Sequence, residues 1–123
     1  MKNIVLGMML LFVTLSTQAQ ETRGGAELSE AKKNKNAKYE FEVNGNCQMC
    51  KKRIEKAAFS VSGVKSVVWS IEDHKLNLII NEEKCSVSDV KNAIAKVGHD
   101  SDDVKATEDD YNKLHGCCLY ERK

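Results

Sequence analysis

The chain has 123 residues, with 19 Lys and Arg against 18 Asp and Glu, a formal charge of +1, five cysteines and no proline. A balance this close to zero lacks the basic excess of a nucleic-acid-binding protein, and the length allows one small domain. An odd number of cysteines cannot all pair within the chain, and Cys47/Cys50 and Cys117/Cys118 are too close in sequence to clamp long loops. The thiols are placed for chemistry.

Residues 1–19 read as a secretory signal peptide. Lys2 gives the positive start, Ile4 to Leu15 is apolar, and Thr17-Gln18-Ala19 offers the small residues that a signal peptidase reads. The apolar run is shorter than the roughly twenty residues of a membrane span. The expected product is therefore secreted across the inner membrane into the periplasm, without stable membrane insertion. About 104 residues remain, with basic and acidic side chains in equal number. Residues 20–37 are polar, carry Gly24-Gly25 and a run of Lys and Asn, and read as a flexible linker.

The folded part is expected over 38–106. Tyr39 to Val43 alternates as a first strand, with Tyr39, Phe41 and Val43 on one face. A helix follows from about Cys50 to Phe59, with Ile54 and Ala57/Ala58 inward, and Ser62-Gly63 breaks it. Val64 to Ile71 is a second strand carrying Val67, Trp69 and Ile71 inward. Asp73-His74 turns into a third strand through Leu76, Leu78 and Ile80. Ser86 and Asp89 form a capping box for a second helix with the stripe Val90, Ile94 and Val97, and Gly98 stops it. A short last strand is expected around Asp102 to Ala106, and Thr107 to Leu114 adds a helical turn. The order β-α-β-β-α-β predicts an α+β, ferredoxin-like sandwich: a four-stranded antiparallel sheet with two helices on one face. Its core should hold Ile54, Val67, Trp69, Ile71, Leu76, Leu78, Ile94 and Val97, complete by about Ala106. Residues 107–123 are then a C-terminal extension.

The most informative motif is Cys47-Gln48-Met49-Cys50, on the turn between the first strand and the first helix. Two thiols three positions apart can point at one soft ion or close on each other as a disulfide. The helix start and the cations of Lys51, Lys52 and Arg53 favour thiolate, the form that binds metal.

Together with Ser62-Gly63-Val64-Lys65-Ser66-Val67 after the first helix and Ala93-Ile94-Ala95-Lys96-Val97-Gly98 at the end of the second, this motif resembles the heavy-metal-associated domain. That family includes copper chaperones, metal-binding modules of copper-pumping ATPases and periplasmic mercury-binding proteins. The resemblance implies that Cys47 and Cys50 bind the ion. Family members usually carry Gly-Met-Thr or Gly-Met-Ser directly before the first cysteine, the methionine plugging the core beneath the loop. This chain has Asn44-Gly45-Asn46 there, and Met49 is the residue available to replace part of that plug. His99, in the loop after the second helix, is a further candidate, because some copper chaperones have a histidine that reaches the ion from that loop.

The tail His115-Gly116-Cys117-Cys118 lies outside the resemblance and supplies three donors within four residues. It forms either a separate site or the closing ligands of the first, and is expected to add binding capacity without anchoring the fold. Cys85 reads as a small structural thiol and His74 as a solvated turn residue. The Lys51, Lys52, Arg53 and Lys56 face is a solvated surface, with docking to an acidic partner as its functional alternative.

No triad, phosphate loop or carboxylate pair supports an enzyme. A thiol–disulfide oxidoreductase is a lesser alternative, since a thioredoxin-like site needs a proline that this chain lacks. The expectation is an exported carrier or scavenger of a soft ion. Cu(I) comes first, Hg(II) second and Zn(II) third. It would pass metal to a metal-transporting membrane protein or another thiolate site, or form a metal-bridged dimer.

Overall fold

The structure, a computed structural model, describes residues 32–123. The expected signal peptide and most of the expected linker lie outside the described residues. The end of that linker is tied down: Asn34 and Glu82 exchange backbone and side-chain hydrogen bonds.

The elements run β1 (Ala37–Glu42), α1 (Gln48–Phe59), β2 (Val64–Trp69), β3 (Lys75–Ile80), α2 (Val87–Lys96) and α3 (Glu108–Asn112), then a 3₁₀ turn at Gly116–Cys118. The strands pair antiparallel in the order β1-β3-β2. Alternation fixes which face is covered: Leu76, Leu78 and Ile80 of β3 are buried while Asn77 is exposed. Phe41 and Val43, Val67 and Trp69 join that face and meet Ile54 and Ala58 of α1, and Val90 and Ile94 of α2. The capping box of α2 is present, with the Ser86 side chain accepting from the Asp89 amide and Asp89 accepting from the Ser86 amide. At Gly98 the backbone turns with φ +97°, a conformation that side chains rarely adopt.

Three expectations need correction. The sheet has three strands among the described residues. Of the fourth only a single antiparallel bridge forms, Val43 to Ser101, just before the expected strand. Asp102 to Ala106 makes no ladder because its polar groups are engaged by other partners. The Ser101 amide donates to the Val104 carbonyl, the Ala106 amide donates to the Asp100 carboxylate, and the Ala106 carbonyl accepts from Arg122. Asp102 and Asp103 turn instead towards the Lys91 ammonium, 2.8 Å from each.

Second, Ile71 and Val97 are only half-buried: Ile71 falls in the turn after β2, and Val97 is the C-cap of α2.

Third, the core does not close at Ala106. Leu114, Cys118 and Tyr120 are buried within it, so the C-terminal extension is part of the fold. The Tyr120 hydroxyl accepts from the Asp100 amide at 2.9 Å and donates to the Gly98 carbonyl at 2.8 Å. Its ring stacks on His99 and meets the Tyr111 ring edge-on. Two residues on, Arg122 forks onto both oxygens of the fully buried Asp100 carboxylate at 2.9 Å each. Burial opposes ionisation of Asp100, but the guanidinium and the Ala106 amide outweigh it and hold the carboxyl below its usual range.

Candidate metal centre

β1 ends at Glu42 and the chain crosses to α1 over Val43–Cys47. The Val43 amide donates to the His74 carbonyl, the Asn44 amide donates to the Asp100 carbonyl at 2.8 Å, and the Val43 carbonyl accepts from the Trp69 indole at 3.0 Å. Trp69 is fully buried beneath the loop. A Cβ at Gly45 would stand 3.0 Å from the Trp69 ring and 3.1 Å from the Cys50 Cβ. Glycine thus lets the loop lie flat on the indole, which fills the floor. Met49 does not act as the plug: the residue is 44% exposed, with its Sδ beside Cys117.

Cys47 is the N-cap of α1 and Cys50 sits one turn in, so both thiols face the same end of the helix. Their Sγ atoms are 3.3 Å apart. The tail returns to this point. Cys118 Sγ lies 3.4 Å from Cys47 Sγ, and the sulfurs of Cys47, Cys50 and Cys118 all lie within 4.8 Å of one another. Cys50 and Cys118 are buried, while Cys47 is half-exposed. Cys117 is exposed, with its Sγ 4.0 Å from Cys47 Sγ and 3.9 Å from Cys118 Sγ.

The thiols differ in acidity. At Cys47 partial burial opposes ionisation. The Cys50 backbone amide and the neighbouring thiols of Cys50, Cys118 and Cys117 outweigh it and bring the thiol down to about 7. Burial pushes Cys118 up, and donating to its neighbours adds to that. Near neutral pH these shifts favour thiolate at Cys47 and keep the proton on Cys118.

Asn46 was not singled out by the sequence. Its side-chain oxygen accepts from the Cys50 thiol at 3.3 Å and its amide donates to the Leu119 carbonyl at 3.4 Å, linking the loop to the tail. The signal available was its place directly before Cys47.

The two histidine candidates do not join the thiols. His115 is exposed at the start of the 3₁₀ turn. His99 is fully buried with Nδ1 2.7 Å from the Asn44 carbonyl, so Nδ1 carries the proton and donates it. Neither histidine belongs to the group of donors lying within 4.8 Å of one another. Burial, with the Arg53 charge adding to it, holds His99 below its ordinary pKa despite the Asn44 carbonyl and Asp100. Through Nδ1 it braces the loop, while its buried Nε2 has no hydrogen-bond partner.

Cys85 is buried away from the cluster, and burial raises its pKa. His74 is not simply solvated: its ring stacks on Trp69, with centroids 5.9 Å apart. Lys51 turns inward, donating to the Trp69 carbonyl at 2.6 Å and to Glu55 at 3.1 Å. Lys52, Arg53 and Lys56 line a groove with Met49, Ala57 and Val97.

The sequence profile of the heavy-metal-associated domain matches residues 40–100. That stretch belongs to the heavy-metal-associated domain family. Solved structures agree. The CopZ metallochaperone is 29% identical with a TM-score of 0.51, and the match covers 53% of this chain and 98% of that one. Oxidized MerP from Ralstonia metallidurans CH34 is 27% identical with a TM-score of 0.52, covering 54% of this chain and 93% of that one. The N-terminal domain of a potential copper-translocating P-type ATPase from Bacillus subtilis, in its Cu(I)-loaded state, is 28% identical with a TM-score of 0.51. That match covers 59% of this chain and 99% of the domain. No curated protein matches the chain. The heavy-metal-associated match ends at residue 100, so Cys117, Cys118, Tyr120 and Arg122 are additions to the domain.

Proposed function

We propose that this chain is a non-enzymatic carrier or scavenger that takes Cu(I) into a seat made by Cys47, Cys50 and Cys118. The clustering of three thiol sulfurs within 4.8 Å of one another carries the proposal. Thiolates are soft donors suited to Cu(I), Hg(II) and, with further ligands, Zn(II). Cu(I) is favoured because a CopZ metallochaperone and a Cu(I)-loaded ATPase domain are among the structural neighbours. Hg(II) stands second, because the family includes mercury-binding proteins.

Half-exposed Cys47, with its pKa near 7, meets the incoming ion first. The buried thiols then replace the ion's outer ligands, and Cys50 and Cys118 each release a proton to solvent as their sulfurs bind. Delivery runs in reverse. A thiolate of a metal-transporting membrane protein, or of another carrier, attacks the ion, and one metal–sulfur bond forms as another breaks. The metal keeps its oxidation state. The leader-like residues 1–19 support export, with the periplasm as the place of action.

The test is an anaerobic titration of reduced protein with Cu(I), Hg(II) and Zn(II), each against a competing chelator. Cu(I) should bind tightly against the chelator and far more tightly than Zn(II), and that binding should vanish in Cys47→Ser/Cys50→Ser and weaken without vanishing in Cys118→Ser. Unchanged affinity in the double variant would falsify the proposal.

A further inference from the structure

We propose a second, outer seat for Cu(I), made by the Cys117 thiolate and the Met49 thioether with Cys47 as the sulfur shared between the two ions. The inference rests on the three-thiol seat and extends it. Cys117 Sγ lies 3.5 Å from Met49 Sδ and 4.0 Å from Cys47 Sγ. Both Cys117 and Met49 are exposed, so their sulfurs face incoming metal. Met49 lies in the first turn of α1, between the two thiols of the motif, and Cys117 is set opposite it by the 3₁₀ turn.

Cys117 stands close to Cys47 and Cys118 but not to Cys50, so the resting geometry does not gather all four thiols around one ion. Four thiolates around one ion at about 2.3 Å would bring every pair of sulfurs within roughly 4 Å. Cys117 stays outside the trio of Cys47, Cys50 and Cys118 whose sulfurs lie within 4.8 Å of one another. Its near neighbours are Cys47, Cys118 and the thioether. That set suits a second ion sharing a bridging thiolate.

The thioether also sets the choice of metal. A neutral, soft sulfur favours Cu(I), whereas Zn(II) gains little from it. Two Cu(I) ions on four thiolates form an anionic cluster. Lys52 and Arg53 line the groove that Met49 also lines, and their charge offsets it. Binding the outer ion transfers no electrons: Cys117 loses its proton to solvent, two copper–thiolate bonds and one copper–thioether bond form, and the ligands of the incoming Cu(I) leave.

The experiment is an anaerobic titration of the full chain with Cu(I) alone. It is read by chelator competition and by native mass spectrometry, on wild type, Met49→Leu, Cys117→Ser and Cys47→Ser/Cys50→Ser. Both outer-seat side chains are exposed, so neither replacement disturbs the core. The expected result is a monomer holding two ions in wild type and one in Met49→Leu and in Cys117→Ser, with X-ray absorption giving a copper–copper vector in wild type alone. A single ion in wild type, two ions in either outer-seat variant, or a second ion found only in dimers would overturn the outer seat. Loss of the remaining ion in Cys47→Ser/Cys50→Ser would then leave the inner seat standing. If the double variant retains both ions, the inner and outer seats fall together.

Discussion

Replacing Tyr120 with Phe removes one oxygen from a buried ring and leaves the shape of the ring unchanged. That oxygen satisfies two backbone groups, the Asp100 amide at 2.9 Å and the Gly98 carbonyl at 2.8 Å, both in buried residues. A buried polar group left without a partner costs about 1–3 kcal/mol. Two such groups that share one partner put the loss at about 2–4 kcal/mol. A domain of this size is stable by roughly 5–14 kcal/mol, so the variant should fold with a much reduced margin. Its midpoint should fall by on the order of 10–20 °C. The assay is thermal and urea unfolding of reduced, metal-free protein, paired with alkylation of Cys118, whose protection should fall as the tail loosens. A loss below about 0.5 kcal/mol, with Cys118 as protected as before, would show that the hydroxyl does not anchor the tail.

Two further outcomes follow from the geometry. In reduced, metal-free protein the Cys47 alkylation rate should rise with pH to a half-maximum near 7, because its pKa is lowered to about 7 and only the thiolate reacts. Cys118, buried and raised, should stay unreactive across that range, and a Cys47 midpoint near the ordinary 9.0 would contradict the clustered arrangement. Gly98→Ala should cost about 1–3 kcal/mol in backbone strain alone, and its Cβ would stand 2.7 Å from the Asp110 carbonyl oxygen. Denaturant unfolding measures this, and an unchanged midpoint would contradict the positive φ at that position.

Much of the α/β framework was legible because its signals are local. The β3 alternation, the Ser86/Asp89 cap and the Gly98 stop each declare themselves within a few residues, and the structure keeps all three. Cys47 and Cys50 were legible as a pair for the same reason. The fourth strand was over-read, since the topology calls for one at Asp102 to Ala106. Nothing local shows that Asp100, Lys91 and Arg122 take up that segment's polar groups. The tail was harder still. Tyr120 belongs to the core only through partners about twenty residues upstream, and no periodicity reports such a return. Placing Cys118 beside Cys47 requires that return, so the third thiol was visible in composition and invisible in position.

The thiol-bearing turn is not a loose end of the chain. Leu114 is buried before it and Tyr120 and Arg122 are fastened after it, so Cys117 and Cys118 sit on a short arch with both feet planted. Such an arch holds Cys118 beside Cys47 for as long as both feet stay fastened. On the proposed function, a delivering or receiving protein would reach the site from the flank where exposed Cys117 and Met49 and half-exposed Cys47 lie. A mutation that cuts either foot would change the arch into a flap.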